Sequence, residues 1–340
     1  MRRRVAAGVG FAALLFLLVQ LGALALVPTF YESGYQTVED PSDPTNSLVY
    51  IVAILVATAA MLAAFKYDLD WVVRAFVVLA AASISWYVFA VLLPPLLAIG
   101  ASVALAALLL LHPEWYVIDA AGVVMGAGAA GLFGISFGLL PAILLLSVLA
   151  VYDAISVYGT EHMLDLASGV MDLKLPVVLV VPTTLSYSLR ETDAGKTVSD
   201  AKRDGGGDEA PAADADAEAS VADDGDDDPS EDAASDEDDV RDAFFIGLGD
   251  AVMPTVMIAS AAFFLPAELT PSLGVAWLPA LTLPALTAMV GTFAGLFALL
   301  WMVLKGRAHA GLPLLNGGAI GGYLVGALAS GVPILTAIGL

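Results

Sequence analysis

Phe244-Phe245-Ile246-Gly247-Leu248-Gly249-Asp250 carries an acid into an apolar run that continues through Ala251-Val252-Met253-Pro254 to about Leu265. Read as one helix from Phe244, the run places Asp250 about two turns inside a membrane span. A carboxylate there costs roughly 2.5 to 3.5 kcal/mol on insertion scales, so it marks a functional site and needs a partner. The preceding apolar run supplies Asp153, in Leu149-Ala150-Val151-Tyr152-Asp153-Ala154-Ile155-Ser156-Val157.

Composition frames this pair. The 340 residues are 59% hydrophobic, with mean hydropathy +0.86, outside the range of soluble globular domains. Apolar runs of about 17 to 25 residues recur and predict an all-α polytopic membrane protein embedded in a lipid bilayer. Nine spans fit, near 5–27, 47–65, 72–92, 94–111, 115–134, 138–157, 244–265, 279–304 and 313–331. The first follows Arg2-Arg3-Arg4, is longer than a signal-peptide core and ends at Pro28-Thr29-Phe30, a poor cleavage site; it is read as a span. The chain has no Cys, which excludes disulfides and thiolate metal sites. His112, His162 and His309 fall at loops or helix ends without ligand-like spacing, so no metal and no cofactor is expected.

The net charge of −22 is concentrated in residues 191–242, which hold 21 Asp/Glu and 4 Lys/Arg. This Asp/Ala/Gly-rich tract cannot bury enough apolar area to order itself, and disorder is expected there. It suits a salt-rich cytoplasm such as that of a halophilic archaeon, and its sign excludes nucleic acid as a partner. The chain therefore divides into residues 1–190 (spans one to six with a helix and strand extension), the acidic loop 191–242, and residues 243–340 with spans seven to nine. All 13 Lys and Arg fall on one side of this arrangement, including Lys66, Arg74, Lys174, Lys305 and Arg307. The positive-inside rule makes that side the cytoplasm, with the N-terminus inside and the C-terminus outside a cell membrane.

Counted from the span ends, Asp153 lies about 6 Å deep and Asp250 about 9 Å deep at 1.5 Å per residue. Two acids on sequential antiparallel helices thus reach similar depth, and Gly247 and Gly249 remove side chains where those helices approach. Carboxyls a few ångströms apart in low dielectric do not both ionise; they hold one proton between them. That arrangement suits an aspartic hydrolase, in which one carboxylate takes a proton from water and the other acid protonates the substrate carbonyl. It also suits a proton- or cation-coupled transporter, and spacing alone does not separate the two. A transporter normally carries internal repeats or paired broken helices, and no convincing repeat is present. A proteolytically dead scaffold is a third reading. Asp119, near the inner end of the Gly-rich fifth span, reads as an interfacial acid within reach of headgroups.

Tyr152-Asp153 on one span and Gly247-Leu248-Gly249-Asp250 on the next resemble the YD and GxGD motifs of the presenilin and signal peptide peptidase family of intramembrane aspartyl proteases. The longer stretch Val151 to Tyr158 resembles the archaeal presenilin-like members. The resemblance implies a nine-helix presenilin-like fold, Asp153 and Asp250 as the catalytic dyad, and transmembrane proteins or signal peptides as substrates. Its third motif, Pro-Ala-Leu at the start of the last span, is matched in place by Pro313-Leu314-Leu315, with Leu for Ala. Literal copies at Pro279-Ala280-Leu281 and Pro284-Ala285-Leu286 lie toward the outer end of the eighth span and read as ordinary prolines at a helix start. Tyr152, Gly247, Leu248, Gly249 and 313–315 are expected to support the dyad.

The sixth loop begins with an amphipathic helical stretch from Tyr158 to Leu173. Leu175 to Pro182 follows, a Pro-bounded, β-branched run too short to span and strand-like. A helical substrate must unwind before attack, and an exposed strand at Val177, Val178, Leu179 and Val180 would compensate its lost hydrogen bonds.

Overall fold

The computed structural model describes residues 2–159, 177–182, 243–305 and 310–340. Helices α1 (Arg2–Glu32), α2 (Thr45–Lys66), α3 (Asp70–Leu92), α4 (Pro95–Leu111), α5 (Trp115–Ser136) and α6 (Leu139–Gly159) precede two strands, β1 (Val178–Pro182) and β2 (Ala243–Gly247). Helices α7 (Leu248–Phe264), α8 (Leu283–Val303), α9 (Leu312–Ala329) and the short α10 (Ile334–Ala337) complete the order. Among the described residues, seven helices are long and apolar enough to cross a membrane, and α4 and α7 are shorter apolar helices. Together they give the nine hydrophobic helices expected from the sequence. The amphipathic stretch expected to Leu173 and the acidic loop 191–242 lie outside the described residues.

Burial sorts the helices by position. Of the seven long spans α5 is the most enclosed, with two-thirds of its most apolar window buried, whereas none of the corresponding window of α2 is. Leu48, Val49, Val52 and Val56 of α2 are accordingly exposed, as lipid-facing side chains of a spanning helix are. The glycines of α5 explain its place: a Cβ on Gly128 would meet Val88 of α3, and one on Gly134 would meet Ala259 of α7. Small residues let helices pack at short range where lipid offers no hydrophobic drive to associate. The same device joins α8 to α9, where Gly291 opposes Gly318 and Gly295 opposes the Leu314 carbonyl. Side-chain bonds to backbone carbonyls add further ties, Ser47 Oγ to Pro141 at 2.6 Å and Ser260 Oγ to Phe137 at 2.9 Å.

The structure corrects the expected seventh span. Ala243 to Gly247 form strand β2, and the helix begins at Leu248, so Asp250 is its third residue instead of lying two turns in. The physical reason is local. Phe244, Phe245 and Ile246 favour a strand, Gly247 and Gly249 are poor helix formers, and β1 supplies the partner that completes an antiparallel ladder. At α8 the sequence reading of Pro284 stands: it lies in the first turn, and the Thr282 side chain caps the helix by accepting from Ala285 N–H.

A valine at Gly291 would drive its Cβ into the backbone of α9, whereas Gly317 faces open space. Gly291→Val is expected to destabilise the fold by about 1–3 kcal/mol and Gly317→Val by far less. Thermal unfolding in detergent measures the difference.

Candidate active site

Asp153 lies six residues before the end of α6 and is 5% exposed. Its Oδ2 accepts the backbone N–H of Leu312 at 3.0 Å. Leu312 opens α9, and the first N–H groups of a helix have no partner within it; a carboxylate from another helix fills that need. Asp250, half-buried in the first turn of α7, faces the same point. A Cβ on Gly311 would lie 3.1 Å from Asp250 Oδ2 and 3.3 Å from Oδ1, and one on Gly247 would lie 3.6 Å from Oδ2. The two carboxyl groups thus meet at Gly311 and Leu312, close enough to interact electrostatically.

Two further bonds fix the start of α9 against α6. One turn on, fully buried Asn316 donates Nδ2–H to the Leu146 carbonyl at 3.0 Å. Before the helix, Ala310 N–H donates to the Tyr158 hydroxyl at 3.4 Å. Leu146, Asp153 and Tyr158 run down α6 as Asn316 and Leu312 of α9 and then Ala310, just before that helix, run the opposite way in sequence. The site is therefore a seam between two antiparallel helices with Asp250 presented from a third.

The two strands lead into this site through β2, which ends at Gly247 where α7 begins. Val178 pairs with Gly247, Leu179 with Ile246 and Val180 with Phe245, and Leu248 N–H donates to the Val177 carbonyl at 2.8 Å. Antiparallel pairs alternate between bonded and non-bonded, so the amides of Val178 and Val180 point away from β2. Val180 N–H is taken by Asp119 Oδ1 at 2.7 Å. Asp119 is thus no interfacial acid: it is 3% exposed and faces the protein interior, turned inward by the strand amide it serves. Nor is β1 an exposed strand, since Leu179, Val180 and Val181 are buried and both its edges carry bonds. By the same alternation the outward amides of β2 belong to Phe245 and Gly247, and Gly247 is exposed.

The sequence pattern of the family described as "Signal-peptide peptidase, presenilin aspartyl protease" matches residues 13–332. The chain belongs to this family. Two solved structures of a presenilin family intramembrane aspartate protease resemble it. The one in the C222 space group is 29% identical, with 94% of this chain and 99% of that chain covered at a TM-score of 0.59. The one in P2 is 30% identical, with 93% and 96% covered at 0.56. No curated protein sequence matches the chain.

The presenilin-type motif residues separate by position. Gly247 borders Asp250, and Leu248 is buried against Gly122 and Gly126 of α5. Gly249 is exposed, with open space where a Cβ would stand. Tyr152 is 39% exposed, on a different side of α6 from its buried neighbour Asp153. Pro313 sits in the first turn of α9, Leu314 turns its backbone to Gly295, and Leu315 is fully buried. The groups that touch the carboxylates are Gly311 and the Leu312 amide, which sequence reasoning missed. A Gly-Leu-Pro helix start just after Lys305 and Arg307 was the available signal.

A side chain at Gly311 presses on the Asp250 carboxyl. Gly311→Val is expected to lower kcat about 100-fold, in line with the effect of an ångström-scale misplacement, with little change in thermal midpoint. Cleavage of a labelled single-span substrate measures the first and thermal unfolding the second.

Proposed function

We propose that Asp153 and Asp250 are the dyad of this intramembrane aspartyl protease, and that they hydrolyse peptide bonds within transmembrane segments of other membrane proteins. The observation that carries the assignment is the convergence of both carboxyls on the start of α9. Asp153, which accepts an amide N–H, acts as the general base and takes a proton from the attacking water. Asp250, on the more open side, gives its proton to the scissile carbonyl. The resulting gem-diol collapses as a proton passes to the amide nitrogen, the C–N bond breaks, and one proton again remains on the pair. The Asp153 bond to Leu312 holds its carboxylate in a fixed orientation through the cycle.

The substrate enters as an extended segment beside β2. Its outward amides at Phe245 and Gly247 lead along the chain to Asp250, three residues past the end of the pairing. This replaces pairing with Val177 to Val180, because the Val180 amide is already occupied. Strand addition compensates the hydrogen bonds that the substrate helix gives up on unwinding. We place the protein in the cell membrane with its N-terminus and dyad toward the cytoplasm, on the distribution of its 13 Lys and Arg. The acidic tract solvates that face in a salt-rich, halophile-type cytoplasm. The comparisons with known proteins give no support to a transporter.

Incubation of purified protein with a labelled single-span substrate is expected to yield two fragments, and Asp153→Ala or Asp250→Ala to yield none. Ion flux into vesicles without any cleavage would instead favour the carrier. Deletion of residues 195–240 is expected to leave cleavage in detergent within about twofold of wild type, as for a surface change remote from the site. Complete loss would mean that the tract does more than solvate.

A further inference from the structure

Asp119 is a third acid of this membrane domain that the dyad does not use. It is the fifth residue of α5, 3% exposed, and its Oδ1 accepts Val180 N–H at 2.7 Å. Its Oδ2 has no hydrogen-bond partner among the described residues. The Val180 amide points away from the β1–β2 ladder and, buried, needs an acceptor from another element; Asp119 on α5 supplies it. The placement of the acid is also specific. Val180 is the centre of β1, and the bond falls on the edge that faces away from β2.

We propose that Asp119 is a positioning residue for cleavage: it locks β1 to α5 and, through the β1–β2 ladder, fixes the depth at which β2 presents the substrate to Asp250. Three contacts transmit the constraint. Val178 pairs with Gly247, Leu248 N–H bonds Val177, and Gly122, one turn after Asp119, packs where a Cβ would lie 3.0 Å from Leu179 Cδ2 and 3.7 Å from Leu248 Cδ1. The same bond occupies the central outward amide of β1, which among the described residues leaves the outer edge of β2 for an incoming strand. Asp119 touches no reacting atom. Its effect is on register, and a sheet that slips changes which peptide bond lies over the dyad.

This inference rests on the dyad and on pairing at β2 as proposed above, and one assay separates the two levels. The cleavage positions in a single-span substrate are mapped by mass spectrometry for wild type, Asp119→Ala, Asp119→Asn and Asp250→Asn, with thermal unfolding recorded for each. Asp119→Ala is expected to spread cleavage to neighbouring bonds and to lower kcat about 10- to 100-fold. Asp119→Asn, which keeps an acceptor for Val180 N–H, is expected to retain the wild-type positions. A purely structural role would lower all products in proportion without moving them, and that result overturns the proposal. So does an Asp119→Asn protein that shifts as far as Asp119→Ala. Should Asp119→Ala fail to fold, Val180→Pro removes the same bond from the strand side without costing a ladder bond, and unshifted products in that variant overturn the proposal equally. Cleavage persisting in Asp250→Asn would overturn the dyad and this inference together. A silent Asp250→Asn beside unshifted products from Asp119→Ala overturns this inference alone.

Discussion

The bond from Leu312 N–H to Asp153 Oδ2 solves two problems that a membrane interior makes severe. The start of a helix leaves N–H groups without acceptors, and a carboxylate in the same region lacks water to solvate it. Each supplies what the other needs, so α6 and α9 are held in one register and their meeting point becomes a place where an acid can sit. Asn316 repeats the tie a turn further on, donating to Leu146. Asp250 enters this prepared seam from α7 and lies against Gly311, where the missing side chain leaves room for its carboxyl. The geometry of the proposed dyad is thus a consequence of backbone satisfaction, and the two acids are placed by backbone groups.

The strands obey the same rule. Open sheet edges are not tolerated against lipid, and β1 meets it by pairing with β2 on one side and giving its central outward amide to Asp119 on the other. β2 keeps outward amides at Phe245 and Gly247, immediately before the acid of α7. Among the described residues nothing bonds those two amides, and an edge of this kind is where the proposed pairing with an unwound substrate would add a strand. The contrast between the closed edge and the open one gives the sheet a direction.

Much of this was legible in the sequence because the features involved have sequence signatures. The hydrophobic helices are long apolar runs, and the paired acids stand out against such a background. What was not legible depends on backbone and on facing. Helical periodicity extended back from Asp250 absorbed Phe244 to Gly247 into a span, because a short apolar run reads equally as buried helix or strand; only its pairing with Val178 to Pro182 decides between them. The Leu312 amide has no signature, since every non-proline residue carries one. Asp119 was misplaced because counting residues from a helix end gives depth but not direction, and an acid near a membrane surface faces headgroups or protein according to its neighbours.

Glycine does two opposite things in this chain, and the difference separates scaffold from site. At Gly134, Gly291 and Gly318 the absent side chain is replaced by the backbone or Cβ of another helix, which binds α5 to α7 and α8 to α9. At Gly311 and Gly247 the space is taken by the Asp250 carboxyl, and at Gly249 it is left open. Since α9 also carries the Leu312 amide, the close packing of α8 against it fixes the position of that amide through backbone contact, with no long side chain to flex between them. The rigid half of the site is therefore α6 with α8 and α9. The other half is the short passage from β2 into α7, where Gly247 and Gly249 flank Leu248 and no side chain crowds the Asp250 carboxyl.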